Sequence, residues 1–295
     1  MTPSHSIRPL IFTLVLISTS MIAEAQTLAS CSFKLFQLPK STSSLAYGVN
    51  DSGAVVGSAP VSPSAQGFTR TASGAVTYYC APGAGCTEYS SLTYFTGRND
   101  AGVNVGVYKT PTMGDPEGFM LKGSTFTPIQ EPNSVYGTYT NGINKSNTVV
   151  GSYLDSQTHS HGFQRSSEGS YTTLDYPGAQ NTYPLGINDN GVIVGAYYSG
   201  QGFIYEDGEW TTLDYPGASS TELNGISDAG VIIGNSNATT QGTAFLYENG
   251  VFKVIAAPNT YSTSVSAISA DGLIVGMTNL NDTESGWRGF TATCK

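Results

Sequence analysis

His159 and His161 are separated by one residue, so on a strand they share a face and could both reach a metal ion, with Asp155 completing the site. The spacing fixes no third ligand. His161 also occupies the variable polar position before a Gly-Phe or Ala-Phe pair that recurs along the chain, and His159 reads as a solvated loop residue. No metal is assigned. Asp189-Asn190-Gly191 and its counterparts invite a calcium reading, but a calcium loop needs oxygen ligands at alternating positions. This segment passes at once into Val192-Ile193. The sialidase aspartate box is closer in spacing, yet its Ser and Trp are missing, and these aspartates are assigned to hairpin turns. A sialidase-type carboxylate clamp needs clustered arginines. Beyond residue 25 the chain has Arg70, Arg98, Arg165 and Arg288, with Arg98 at a different repeat position from the other three. No Gly-x-Ser-x-Gly elbow, His-Glu-x-x-His helix or phosphate-binding glycine loop occurs. No catalytic residue and no cofactor are assigned.

The elements that position these residues come from a repeat. Gly186-Ile187-Asn188-Asp189-Asn190-Gly191-Val192-Ile193-Val194-Gly195 returns as Gly225 to Gly234, and appears also at Gly48 to Gly57, Gly97 to Gly106, Gly142 to Gly151 and Ala267 to Gly276. The closing glycines are 49, 45, 44, 39 and 42 residues apart. Each copy is followed by a Phe after Gly or Ala: Phe68, Phe119, Phe163, Phe203, Phe245 and Phe290. A third block, Thr172-Thr173-Leu174-Asp175-Tyr176-Pro177-Gly178-Ala179, recurs at Thr211 to Ala218. Asx and Gly residues tolerate the positive φ of tight hairpins. Each period therefore holds four short strands, and periods of this length mark propeller blades. The expected fold is all-β, a six-bladed β-propeller with four strands per blade; a β-solenoid, whose coils repeat at shorter periods, is the runner-up.

The sixth copy ends at Gly289 to Cys294 without a fourth strand, while Cys31-Ser32-Phe33-Lys34-Leu35-Phe36-Gln37-Leu38-Pro39 matches one, with Pro39 aligned on Pro177 and Pro216. The last blade is expected to be closed by the N-terminal strand, which removes two open edges.

His5 and Arg8, an apolar run from Leu10 to Ile22, and Ala23-Glu24-Ala25 before Gln26 read as a secretory signal over residues 1–25. Residues 26–295 are then a single propeller domain, secreted or periplasmic, and no later stretch has the apolar length of a membrane span. Leu28-Ala29-Ser30-Cys31 also resembles a lipoprotein box, the minority reading being lipidation of Cys31. Export favours disulfides among the four cysteines. Of three possible pairings, Cys80 with Cys86 and Cys31 with Cys294 is expected, the second joining the ends of the mature chain. Only 11% of residues are charged and Gly numbers 35, which excludes coiled coils and helix bundles. A net charge of −9 without any Lys/Arg cluster excludes nucleic acid as a partner. A monomer is expected.

The blocks resemble an extracellular repeat family named for a His-Ala-Phe tripeptide, the HAF repeat. The resemblance covers residues 31 to 295 and rests on Gly-Ile-Asn-Asp-x-Gly-x-Ile-Val-Gly, His-Gly-Phe and Thr-x-Asp-x-Pro-Gly-Ala. Only His161-Gly162-Phe163 keeps the histidine; Gln66, Glu117, Gln201, Thr243 and Arg288 stand in comparable places elsewhere. The family implies an exported repeat protein and brings no catalytic residues.

The function expected is a non-catalytic binding or interaction scaffold for an extracellular glycan or protein ligand. The alternative is an extracellular propeller enzyme, a glycoside hydrolase or polysaccharide lyase, whose paired carboxylates would come from different blades. Connections between second and third strands vary most, and variable loops on a rigid frame carry recognition. They nominate Tyr108, Tyr153, Tyr197, Tyr198 and Trp287 as aromatic contacts, with Asp155, His159, His161 and Arg288 beside them.

Overall fold

The computed structural model describes residues 27–61, 64–84, 92–198, 200–280 and 286–295. The expected signal sequence lies outside these residues, as does Cys86 with its pairing. Every element is a strand. No helix among the described residues is long and apolar enough to cross a membrane.

Each turn block builds the same hairpin. In Asn188 to Val192 the Asn188 side-chain oxygen accepts from Asn190 N (3.1 Å) and Val192 N (2.9 Å), while Gly191 N donates to the Asn188 carbonyl at 3.2 Å. This Asx turn requires positive φ at its glycine, and Gly191 has φ +88°. Asn50, Asn99 and Asn144 make the same bond to the N–H four residues on, and Ser227 and Ser269 use their hydroxyls instead.

The hairpins join inner strands Leu45–Val49, Leu92–Arg98, Thr138–Ile143, Thr182–Ile187, Thr221–Ile226 and Thr260–Ile268 to second strands Val55–Val61, Asn104–Lys109, Val149–Leu154, Ile193–Tyr197, Ile232–Ser236 and Ile274–Leu280. Third strands follow at Ser64–Arg70, Glu117–Lys122, Ser160–Arg165, Gln201–Glu206, Thr243–Glu248 and Trp287–Cys294. Outer strands are Val76–Tyr79, Thr125–Ile129, Tyr171–Leu174, Glu209–Thr212, Val251–Ile255 and, for the last copy, the N-terminal Cys31–Phe36. Within each copy successive strands pair antiparallel.

In every copy the closing glycine of the second strand stands opposite the repeat phenylalanine of the third, as in Gly195 with Phe203, and all six phenylalanines are fully buried. The glycine is required by contact: a Cβ on Gly195 would lie 2.0 Å from the Tyr183 carbonyl and 2.8 Å from the Phe203 ring. Burying each ring contributes about 3 kcal/mol, so this pairing carries much of the core.

The sheets number five, which corrects the expectation of six separate four-stranded ones. Three have four strands. Thr27–Leu28 adds a parallel fifth strand to Val251–Ile255. Eight strands, from Leu45 to Ile129, form one sheet because a single parallel pair, Ala65 with Leu92, bridges the first copy to the second. The inner strands follow one another around a central channel, and the last meets the first.

The N-terminal strand runs in register against the C-terminal one, Cys31 opposite Cys294 through Phe36 opposite Gly289. Cys31 and Cys294 form a disulfide with Cα atoms 4.0 Å apart. This corrects the lipidation reading, since the sulfur that would carry a lipid is already bonded. Cys80 is disulfide-bonded as well.

Candidate functional site

All six inner strands carry a bulge at the same place, between Ala46 and Gly48, Phe95 and Gly97, Thr140 and Gly142, Pro184 and Gly186, Leu223 and Gly225, and Val265 and Ala267. A bulge leaves one residue out of the ladder and re-aims it. Those residues are Tyr47, Thr96, Asn141, Leu185, Asn224 and Ser266, and all six line the axial channel. The glycines that follow let the inner strands approach closely: a Cβ on Gly48 would lie 2.9 Å from the Gly97 Cα, and one on Gly186 2.9 Å from the Gly225 Cα. The channel waist is accordingly narrow, about 80 Å³.

On one side of the waist the channel widens to a cavity of about 310 Å³. Its wall includes the bulge residues with Tyr94, Glu222, Asn235, Ser264 and Met277. Tyr94 and Glu222 lie towards the starts of inner strands, which pair with the ends of second strands, so this mouth opens on the rim of the variable connections. Tyr47 and Tyr94 meet edge to face at 6.2 Å. Burial raises the pKa of both hydroxyls, with Tyr139 and Tyr47 adding to the effect at Tyr94. Among the described residues Glu222 is the one carboxylate lining this mouth. Much of the donor capacity is spent within the wall: Thr96 Oγ1 donates to the Thr140 carbonyl (2.8 Å), and Asn141 Nδ2 donates to the Pro184 carbonyl (2.7 Å). Asn235 Nδ2 donates to Asn224 Oδ1 (2.9 Å) and the Val265 carbonyl (2.8 Å).

The opposite end, at the hairpins, narrows to about 60 Å³ and is lined by Asp51, Asp100, Lys145, Asp189 and Asp228. These carboxylates are engaged by backbone of the preceding copy: Asp51 N donates to Asp100 Oδ1 (2.9 Å), Lys145 N to Asp189 Oδ1 (2.7 Å) and Asp189 N to Asp228 Oδ1 (2.9 Å). The turn asparagines add a second series, Asn50 to the Asn99 carbonyl, Asn99 to Asn144, Asn144 to Asn188 and Asn188 to Ser227. Arg98 replaces the aliphatic residue found there in the other copies (Val49, Ile143, Ile187, Ile226, Ile268). It donates to Asn104 Oδ1 at 2.7 Å, and burial lowers its pKa. The acidic ring therefore ties copies together. Among the described residues no group of three His, Cys, Asp or Glu side chains is placed to hold a metal ion.

The residues nominated from sequence fall into several places. Asp155, His159, His161 and Tyr153 come together on the third copy, with Asp175 as a member that the sequence did not suggest. His161 Nδ1 is 2.9 Å from Asp175 Oδ2, its Nε2 is 3.3 Å from Asp155 Oδ2, and its ring stacks on Tyr153 at 5.2 Å. Asp155 Oδ1 accepts from Gln157 N and His159 N, and its pKa is lowered: partial desolvation is outweighed by these bonds and by His161. Burial alone would depress the His161 pKa, but Asp175 and Asp155 outweigh it and raise the value. Both ring nitrogens face carboxylates, so the imidazolium is favoured and neither nitrogen is left as a free base.

Tyr108 and Tyr153 are buried in separate core clusters. The Tyr108 hydroxyl donates to Glu117 Oε2 at 2.9 Å, and burial followed by that bond pushes its pKa up to about 12. Tyr197 stacks on Tyr176 with ring centroids 3.8 Å apart. Tyr198 is exposed. Trp287 N donates to Ser43 Oγ (3.1 Å), and Arg288 stands opposite Thr278. None of these lines the axial cavity, whose bulge residues the sequence reading missed. The available signal was the position just before each block's opening Gly or Ala, which changes in almost every copy.

No family model matches the chain, and no curated protein matches it. Solved structures do. Virginiamycin B lyase from Staphylococcus aureus is similar at TM-score 0.53 and 14% identity over 90% of this chain and 99% of that one. The fold is a β-propeller. A gluconolactonase from Xanthomonas campestris is similar at TM-score 0.52 and 9% identity, covering 92% and 97% of the two chains. The aldose sugar dehydrogenase of Streptomyces coelicolor, in its PQQ-bound form, gives TM-score 0.51 at 10% identity over 91% and 100%. At these identities the likeness concerns the propeller frame.

Proposed function

We propose that this protein is an exported six-bladed propeller of the HAF-repeat kind that binds its ligand, a glycan or a protein segment, at the axial mouth on the variable rim, without catalysis. In favour of six blades is the weakness of the link inside the eight-stranded sheet, one residue pair, where each blade is otherwise held by full ladders. In favour of export is the Cys31–Cys294 disulfide, a bond that persists in oxidising compartments.

The observation that carries the binding reading is the cavity of about 310 Å³ walled by two half-buried tyrosines, amides and hydroxyls from successive copies. A wall of this make-up suits polar ligands with a stacking face. Against catalysis stands the same wall, which among the described residues has Glu222 as its single carboxylate and no histidine or cysteine. The exposed Tyr198 and the Asp155–His161 pair are outlying contacts for a larger ligand. The enzyme neighbours motivate the second reading, an extracellular propeller hydrolase or lyase. Screening the purified protein on a glycan array, with reducing-sugar release followed in parallel, separates the two. Retention of a glycan without release supports binding; release of sugar ends would establish the enzyme.

A further inference from the structure

We infer that the axial mouth selects a small organic cation, a ligand carrying an ammonium group; this rests on the binding reading above and narrows it. The wall is not chemically neutral. Among the described residues Glu222 is the only charged side chain lining it, and no hydrogen bond or ion pair engages its carboxylate there. Thr96 spends its proton on the Thr140 carbonyl, Asn141 spends an N–H on the Pro184 carbonyl, and both Asn235 N–H groups go to Asn224 and Val265. What remains for a guest includes acceptors in the hydroxyl oxygen of Thr96, the amide oxygen of Asn141 and the Glu222 carboxylate, beside the hydroxyls of Tyr47, Tyr94, Ser264 and Ser266, which can accept or donate.

Tyr47 and Tyr94 stand in the same cavity, in contact with each other and half-buried. Tyrosine rings attract cations more strongly when desolvated. Acceptors, aromatic rings and one unpaired carboxylate in a cavity of about 310 Å³ are complementary to a compact cation with a few hydroxyl groups, and repel an anionic sugar. The surrounding charge agrees, at −9 for the chain.

Calorimetric titration of the full folded protein with choline and with its uncharged isostere 3,3-dimethylbutan-1-ol tests this. Choline is expected to bind at least roughly ten-fold more tightly than the alcohol, and less tightly as salt rises. Glu222→Gln should cut choline affinity about ten-fold with the unfolding midpoint unchanged, because Glu222 is an exposed surface position. Equal affinities, absent choline binding, or an unchanged Glu222→Gln titration would overturn the inference. A neutral glycan from the array whose binding is lost in Tyr94→Phe would preserve the mouth as the binding site while rejecting its cation preference; array binding indifferent to both variants would reject the site itself.

Discussion

The backbone N–H of Asp271 donates to the carboxylate of Asp51, 220 residues earlier, at 3.1 Å. The bond is the last copy's counterpart of those from Asp51 to Asp100 and from Asp189 to Asp228, made one residue later in the turn because Ala270 stands at the position of Asp51 and Asp189, so the hairpin end of the channel is laced across the point where the chain's two ends meet. Desolvation, and repulsion by Asp100 and Asp271, outweigh the backbone bond and raise the Asp51 pKa. Asp51→Asn keeps the acceptor and removes the repulsion. Its unfolding midpoint at neutral pH should equal or exceed that of the wild type, whereas Asp51→Ala should lose roughly 0.5–1 kcal/mol, the worth of a solvent-exposed hydrogen bond. Urea denaturation of both variants decides it.

Closure also rests on the covalent bond. Cys294→Ser removes a cross-link spanning 263 residues and should lower stability by roughly 2–5 kcal/mol. The β-type circular dichroism should persist, because the Cys31–Phe36 ladder remains. Loss of the β signal at room temperature would mean that the strand exchange depends on the bond.

Two glycines of one repeat should respond differently. Gly191 has φ +88° with open space around a would-be Cβ, so Gly191→Ala costs conformational strain alone, about 1 kcal/mol. Gly195→Ala drives a methyl into the Tyr183 carbonyl and the Phe203 ring, and should cost about 3 kcal/mol or more. Comparable midpoints for the two variants would contradict the packing described for the closing glycines.

His161 predicts a pH dependence. Its folded pKa lies above the ordinary histidine value, so the stability it contributes is fully present below about pH 6.5 and is lost as pH rises through the folded pKa. Wild type should therefore lose stability over that rise while His161→Gln shows a flatter profile. In Asp175→Asn the histidine titration, followed by NMR, should move down; no movement would remove the carboxylate bond as its cause.

The repeat made most of the architecture legible in advance, because glycine, asparagine and phenylalanine at fixed intervals each answer one physical demand. Gly195 is small because Phe203 lies across it, Asn188 holds its turn, and Cys31 and Cys294 lie where a hairpin is missing. Two things stayed hidden. The single bridge from Ala65 to Leu92, which merges two copies into one sheet, depends on how neighbouring edges lean together, and no local pattern encodes that. The bulge shifts strand alternation by one residue, so Tyr47 and its counterparts turn to the axis. By contrast Tyr108 and Tyr153, at the ends of second strands covered on both faces, pack inward. Truncating either to Ala should therefore cost roughly 3 kcal/mol of stability.

The most direct test of the axial mouth is the affinity of one array-selected ligand for wild type, Glu222→Gln and the hairpin-side control Asn190→Ala, each with its unfolding midpoint. Weakened binding in Glu222→Gln at an unchanged midpoint, with Asn190→Ala binding as wild type does, is the result expected of a ligand seated between Tyr94 and Glu222. Full affinity in Glu222→Gln with loss in Asn190→Ala would place the ligand at the acidic hairpin end and contradict the assignment.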